Sequence, residues 1–235
     1  MISERRFASA FTSFWNEVLP RAETYLRRVN YTCSRYNPEM RSVLPLDRDR
    51  RSVINELGFR LFKEQWQEKR ISEKRTREIA EAVQAYIIRL TRSKDRLLKV
   101  PLSNQENTEA LKLADSLRRF FLRTKDRSLV FWPEFPGCGI LHKCVGDVLQ
   151  GSKLIEVKAG DRTFRMTDIR QVLTYCSLNF ASKRYDLRDI VLVNPRRGVF
   201  HQTSVADLIV ECSATTAVDF FSSVIEFISA EGNSR

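Results

Sequence analysis

Gly146-Asp147-Val148-Leu149-Gln150-Gly151-Ser152-Lys153-Leu154-Ile155-Glu156-Val157-Lys158 is the stretch whose reading decides the fold. Two β-prone segments, Ile140 to Leu149 and Lys153 to Lys158, flank Gln150-Gly151-Ser152, and this arrangement predicts a hairpin with a tight turn. Glu156 and Lys158 are two apart on a strand, so their side chains share a face. Asp147 lies on the preceding strand and can approach Glu156 across the pair. Two carboxylates and a lysine then converge at one sheet edge. Two hard carboxylates suit Mg²⁺ or Mn²⁺, which keep water and phosphate oxygens as further ligands. Such an ion lowers the pKa of a bound water. A lysine beside it can position the nucleophile or neutralise charge in the transition state.

Working outward, Thr167 or Asp168 is placed to cap a helix carrying Ile169, Val172, Leu173, Cys176 and Phe180. Asp189 to Val193 reads as a buried strand, Asn194-Pro195-Arg196-Arg197-Gly198 as a turn, and Val199 to Thr203 as the returning strand. Two helices follow, Val205 to Glu211 and Thr215 to Ile228. Upstream, Leu129-Val130-Phe131-Trp132 is a short strand ended by Pro133. Residues 1–128 look helical throughout, with apolar stripes such as Phe7, Phe11, Phe14, Trp15, Val18 and Leu19 opposite charged faces. Pro20, Pro38, Pro45 and Pro101 mark breaks in this half. The mixed order predicts an α/β fold around a central sheet. The expected division is a helical N-terminal region over 1–104 and an α/β domain over 105–235.

Composition bounds the function class. The chain has 235 residues, 43% hydrophobic and 29% charged, which excludes a disordered chain, a collagen-like repeat and a disulfide mini-protein. The formal net charge is +11, yet residues 201–235 hold one basic and five acidic side chains. A basic body with an acidic end points to a polyanion partner. No apolar run approaches the length of a bilayer span. The start, MISERRFASAF, has no apolar core of a secretory signal, and five loosely spaced cysteines read as free thiols, so a cytoplasmic location is expected. Cys138, His142 and Cys144 lie close together, but zinc wants a fourth ligand and the only other histidine is His201. Small buried thiols in a turn are the expected reading there.

The pattern Asp147-x8-Glu156-Val157-Lys158, between an upstream and a downstream helix–strand unit, resembles the PD-(D/E)XK nuclease superfamily. Gly146 stands where the motif's proline would be. On the next helix Gln171 and Tyr175 are four apart, hence on one face. That pair is similar to the QxxxY helix of the RecB-like branch of the superfamily. The resemblance covers residues 107–230 and is sharpest over 146–175. It implies a restriction-endonuclease-like mixed central sheet flanked by helices, preceded here by the all-helical region. It also implies Mg²⁺- or Mn²⁺-dependent hydrolysis of DNA. Asp147, Glu156 and the Val157 carbonyl would hold the metal, Lys158 would align or activate the attacking water, and Gln171 and Tyr175 would shape the site. The runs 137–147 and 168–175 together resemble small nuclease subunits of bacterial anti-phage defence or restriction loci. Separately, a chain this small, with no nucleotide-hydrolysing motif of its own, is expected to work beside a partner protein such as an ATPase or sensor.

Arg162, Arg165 and Arg170 follow the lysine strand and are candidates to grip phosphates. Arg118, Arg119, Arg123, Lys125 and Arg127 near the start of the sheet are further candidates. Glu134 could add a third carboxylate, though a solvent-exposed strand end is the preferred reading. Glu106 and Glu109 are expected to complement a helix dipole. The run from Lys69-Arg70 to Arg77 reads as a solvated helix face. Two rival functions stand beside the nuclease: a catalytically silent nucleic-acid-binding or assembly module with the same fold, and an RNA-directed nuclease with the same site. A homo-oligomer is compatible with either.

Overall fold

The computed structural model describes residues 1–40, 48–68, 71–91 and 96–233; Pro45 and Lys69-Arg70 lie outside the described residues. It is mixed α/β and divides into two compact units that interleave in sequence. One holds Met1–Ser34, Asp126–Val193 and Val199–Arg235; the other holds Arg35–Lys125 and Asn194–Gly198.

The first unit opens with three short helices: α1 Glu4–Ala10, α2 Thr12–Val18 and α3 Ala22–Thr32. Ser3 starts α1 by accepting from the Arg6 N–H (3.3 Å), a side-chain cap for an orphan helix donor. Ile2 ties the chain end down beside residues 140–142: its N–H donates to Ile140 O (2.7 Å), and its carbonyl accepts from His142 N (3.0 Å). The strands are β1 Ser34–Arg35, β2 Leu129–Phe131, β3 Glu134–Phe135, β4 Cys144–Val145, β5 Val148–Gln150, β6 Lys153–Val157, β7 Asp189–Asn194 and β8 Val199–Ser204. Six form one sheet in the order β1-β8-β7-β6-β5-β2, while β3 and β4 pair separately. The β2–β5 and β5–β6 pairs are antiparallel, and β6–β7 is parallel.

The expected hairpin is present, turning at Gly151, whose positive φ (+56°) suits a residue with no side chain. The single strand expected from Ile140 to Leu149 is not. It breaks into β4 and β5 around Gly146-Asp147, because residues 144–145 pair with β3 instead of continuing the main sheet. Nor does the charged cluster lie at a sheet edge: β6 is interior, hydrogen-bonded on both sides by β5 and β7. Interior strands are covered on both faces, which is why Val148, Leu149, Leu154 and Ile155 are all buried.

The helix α7 Met166–Ser182 packs against the unit so closely that Asp168 to Asn179 are buried without a break. Its N-cap is Arg165, not Thr167 or Asp168. Asp168 sits at the third helical position and accepts from the Arg165 N–H (2.8 Å). The helices α8 Val205–Ser213 and α9 Ala217–Asn233 complete this unit. Helices α2 and α9 meet at the margin of its core, where Phe14 stacks on Phe227 with ring centroids 4.0 Å apart. Trp15 is fully buried, and its indole N–H donates to Phe7 O (3.0 Å).

The second unit holds α4 Arg48–Gln67, α5 Glu73–Thr91 and α6 Asn104–Phe121. Gly58 allows α4 to approach α6: a β-carbon there would lie 2.8 Å from Leu113 Cβ. Phe62 stacks on Phe121 beside that contact (5.0 Å). Glu106 closes a capping box with Ser103 and also receives a two-pronged pair from Arg50 (2.6 and 2.5 Å). Glu109 is no dipole ornament either. It is buried in an ion pair with Arg196, whose second nitrogen donates to Asn55 Oδ1 (2.7 Å). Removing one member of a buried pair strands the other's charge. Glu109→Ala should therefore lower the unfolding free energy by about 3–5 kcal/mol, read from the denaturant midpoint.

Among the described residues, no single helix is long and apolar enough to cross a membrane.

Candidate active site

The ladder register brings the charged residues together. Val148 opposes Ile155 across the hairpin, so one step further Asp147 faces Glu156. There the regular ladder gives way, and Asp147 Oδ2 accepts the Val157 N–H (2.7 Å). That bond fixes the carboxylate beside the end of β6. The Lys158 N–H donates to Val193 O (2.8 Å), so the parallel partner β7 holds the residue that follows.

Gly146 occupies the place of the motif's proline, and the structure gives a reason. Its N–H donates to Pro133 O (2.9 Å), a bond that proline, lacking the hydrogen, cannot make.

Lys158 is the hub of the cluster. Its ammonium donates to Glu156 Oε1 (2.9 Å) and to Gln171 Oε1 (2.6 Å), and lies 3.7 Å from Asp168. Gln171 in turn donates to the Tyr175 hydroxyl (2.8 Å), and that hydroxyl donates to Val145 O (3.1 Å). Thus both side chains of this helix face reach residues beside the hairpin, Gln171 at Lys158 and Tyr175 at Val145. Glu156 is buried, and its Oε2 has no hydrogen-bond partner. A buried carboxylate oxygen without a donor is costly unless something outside the chain satisfies it.

Electrostatics carry the same message. Burial, and then the Glu156 charge, push the half-buried Asp147 carboxyl up to about 7, against the opposing pull of Lys158. Two facing carboxylates are held together with too little positive charge between them. Burial and the charges of Glu156, Glu4 and Asp147 likewise push the Tyr175 hydroxyl above its ordinary range, so it stays a neutral donor.

Two residues of the site lie far upstream, and sequence reasoning did not find them. Glu4 on α1 accepts from Gln171 Nε2 (3.3 Å) and from the Tyr175 hydroxyl (3.5 Å). Arg5 is exposed beside it. Burial works against its charge, but the Glu156 and Asp147 carboxylates outweigh that and raise its pKa. Arg5 and Ser9 line one side of a cavity of about 420 Å³, with Lys158, Gly160, Arg162 and Gln171 on the other. No spacing rule links Glu4 to Asp147. The link is the pinning of Ile2 against residues 140–142.

The three arginines expected to grip phosphate have separate fates. Arg162 makes a two-pronged pair with Asp168 (2.6 and 2.9 Å) at the cavity wall. Against the burial that would raise it, that guanidinium, the Lys158 charge and the Arg165 N–H hold the Asp168 carboxyl below the usual range. Arg165 is exposed at the start of α7. Arg170 is buried instead, donating to Ala8 O (3.3 Å) and Asn16 Oδ1 (3.1 Å). It fastens α1 and α2 to α7 and is not open to a nucleic-acid backbone. Glu134 faces solvent and pairs with Lys143 (2.6 Å). Cys144 is buried with its thiol donating to His142 O (3.1 Å), and Cys138 lies against Ser229.

A scan of protein-family models finds no match to this chain, and a search of curated proteins finds none. Among the described residues, no three His, Cys, Asp or Glu side chains gather into a closed metal cage. A Mg²⁺ site does not require one, since that ion typically takes one or two carboxylates and fills the rest of its shell with water and phosphate. Asp147, the unpartnered Glu156 Oε2 and the Val157 carbonyl fit such an ion.

Proposed function

We propose that this chain is a Mg²⁺-dependent nuclease that hydrolyses phosphodiester bonds in DNA, with the PD-(D/E)XK arrangement on a restriction-endonuclease-like, RecB-like fold. The observation that carries the reading is the single junction of Asp147, Glu156 and Lys158, with one Glu156 oxygen buried and unsatisfied.

Asp147, Glu156 and the Val157 carbonyl are the residues that would hold a divalent ion. Such an ion would supply positive charge for the phosphate oxygens and acidify a water. Lys158 does the positioning. Glu156 and Gln171 fix its ammonium from two sides, so one N–H remains to orient the attacking water or to meet the developing negative charge. Water attacks phosphorus and releases a proton to solvent, the P–O bond to the sugar breaks, and the departing sugar oxygen takes a proton from solvent. Tyr175 and Gln171 keep Glu4 turned towards the cluster. Arg5, on the open side of the cavity, offers a guanidinium to the substrate's phosphate. The +11 net charge supports a polyanion substrate, with affinity that falls as salt rises.

Purified protein incubated with DNA and Mg²⁺ should cut it, and EDTA should stop the reaction. Silence with linear, circular and single-stranded DNA in both Mg²⁺ and Mn²⁺ would remove the proposal. RNA cut in preference to DNA would move the same site to the RNA-directed reading. A role in anti-phage defence, and a partner such as an ATPase or sensor, extend this proposal.

A further inference from the structure

Asp168 does more than its place on α7 asks of it. As the third residue of that helix it closes the helix start, accepting the Arg165 N–H on Oδ2 (2.8 Å). One oxygen is enough for that task. Yet the side chain is buried, and its other oxygen, Oδ1, faces the Lys158 ammonium at 3.7 Å. Arg162 donates from Nη1 to Oδ2 (2.6 Å) and from Nη2 to Oδ1 (2.9 Å), so both oxygens are occupied. Asp168 differs in this from Glu156, whose Oε2 has no partner to give up to a metal ion.

The geometry around Lys158 gives this third carboxylate a use. Asp168 and Gln171 are three apart, so the start of α7 presents both on one face to the residue that follows β6. The ammonium has three N–H groups. Glu156 Oε1 (2.9 Å) and Gln171 Oε1 (2.6 Å) accept two of them. Asp168 stands close enough to attract the charge and too far away to take the third N–H. The ammonium is drawn to one spot without consuming its last donor. Glu156 would turn part of its charge to a bound divalent ion, whereas Asp168, fixed by Arg162 and the Arg165 N–H, would stay in place.

We propose that Asp168 is a positioning residue for Lys158: anchored by Arg162, it steadies the ammonium on a third side and leaves one N–H for the reacting water or phosphate. The proposal rests on the nuclease reading for what that N–H meets, while the positioning itself is read without any cleavage.

The test compares Asp168→Asn with the wild type by ¹H–¹⁵N NMR of the lysine side chains, with neither metal nor DNA present. An ammonium held by several acceptors exchanges slowly with water and gives a signal, and the one signal missing in Lys158→Met is that of Lys158. Asp168→Asn keeps an oxygen for the Arg165 N–H and removes the charge. It should broaden the Lys158 signal away and leave the other lysine signals unmoved. Asp168→Ser, with a hydroxyl for the same N–H, carries the test where the Asn variant does not fold. In cleavage with Mg²⁺, Asp168→Asn should lower kcat by about 10- to 100-fold, the range for a displaced catalytic group, with KM changed by less than about threefold. In the Lys158→Met background the same substitution should cost less than about twofold, because no ammonium is left to place. A role in starting the helix alone predicts the same loss in both backgrounds and an intact Lys158 signal in Asp168→Asn. Either result would overturn the proposal, as would a wild-type Lys158 ammonium too mobile to give a signal. A signal lost as expected, with no cleavage by any form, would remove the nuclease reading and leave the positioning role standing.

Discussion

Lys158→Met should lower the rate of DNA cleavage by about 10²–10³-fold, the usual cost of removing one preorganised charged donor from a reacting centre. Methionine keeps the length of the stem and removes the ammonium, so the comparison isolates the charge. In the wild type that ammonium bridges Glu156 and Gln171. Without it Glu156 has neither oxygen bonded within the cluster, and Gln171 loses the acceptor role that orients it. A donor that acts mainly on the transition state affects kcat more than KM. Rates measured at saturating Mg²⁺, with affinity measured separately, make that division visible. Cleavage within tenfold of the wild type would sink the assignment of Lys158 as the positioning residue.

Asp147→Asn should abolish cleavage and at the same time stabilise the fold. The folded-state pKa of Asp147, about 7, lies above its ordinary value of 3.8 because of burial and the facing Glu156. A group whose pKa is raised on folding contributes stability below its unfolded pKa and loses it as pH climbs through the folded one. Between roughly pH 4 and 7 the wild type should therefore become progressively less stable, by up to about 4 kcal/mol for this group. Asparagine keeps an oxygen to accept the Val157 N–H and carries no charge at any of these pH values. Denaturant unfolding at a series of pH values should give a flat profile for the variant in this window and a falling one for the wild type. Mg²⁺ should raise the wild-type midpoint at pH 8 and leave the variant unmoved, since ligand binding to the native state is what restores the lost stability. A variant less stable than the wild type at pH 8 would show that the two carboxylates do not repel one another there.

The legible part of the site is the part built by local geometry. A hairpin sets Asp147 opposite Glu156, a strand sets Glu156 and Lys158 on one face, and a helix turn sets Gln171 over Tyr175. Each of these is a rule about neighbours two to ten residues apart. Glu4 and Arg5 escaped because only tertiary packing delivers them. The apolar stripe of Phe7, Phe11 and Phe14 announces a helix but not its partner. Arg170 was misread for the same reason: a charged residue on a mostly apolar helix looks like a surface group until α1 and α2 are known to cover it. The mixed sheet flanked by helices was legible from the alternation of element types. The break at Gly146-Asp147 was not, since nothing in Ile140 to Leu149 says that its first half pairs elsewhere.

The seating of Phe14 on Phe227 has a consequence for synthesis. The ribosome delivers α1 and α2 long before α9, with nearly all of Arg35–Lys125 between β1 and β2. At about 5–20 residues per second, the opening aromatic cluster waits on the order of ten seconds or more for its permanent neighbours. During that interval Phe7, Phe11, Phe14 and Trp15 are a sticky leader with nowhere to dock, and a nascent chain of this kind invites a chaperone. It also means that the Lys158 junction, which needs Glu4 and Arg5 beside α7, cannot assemble before α7 itself has been made.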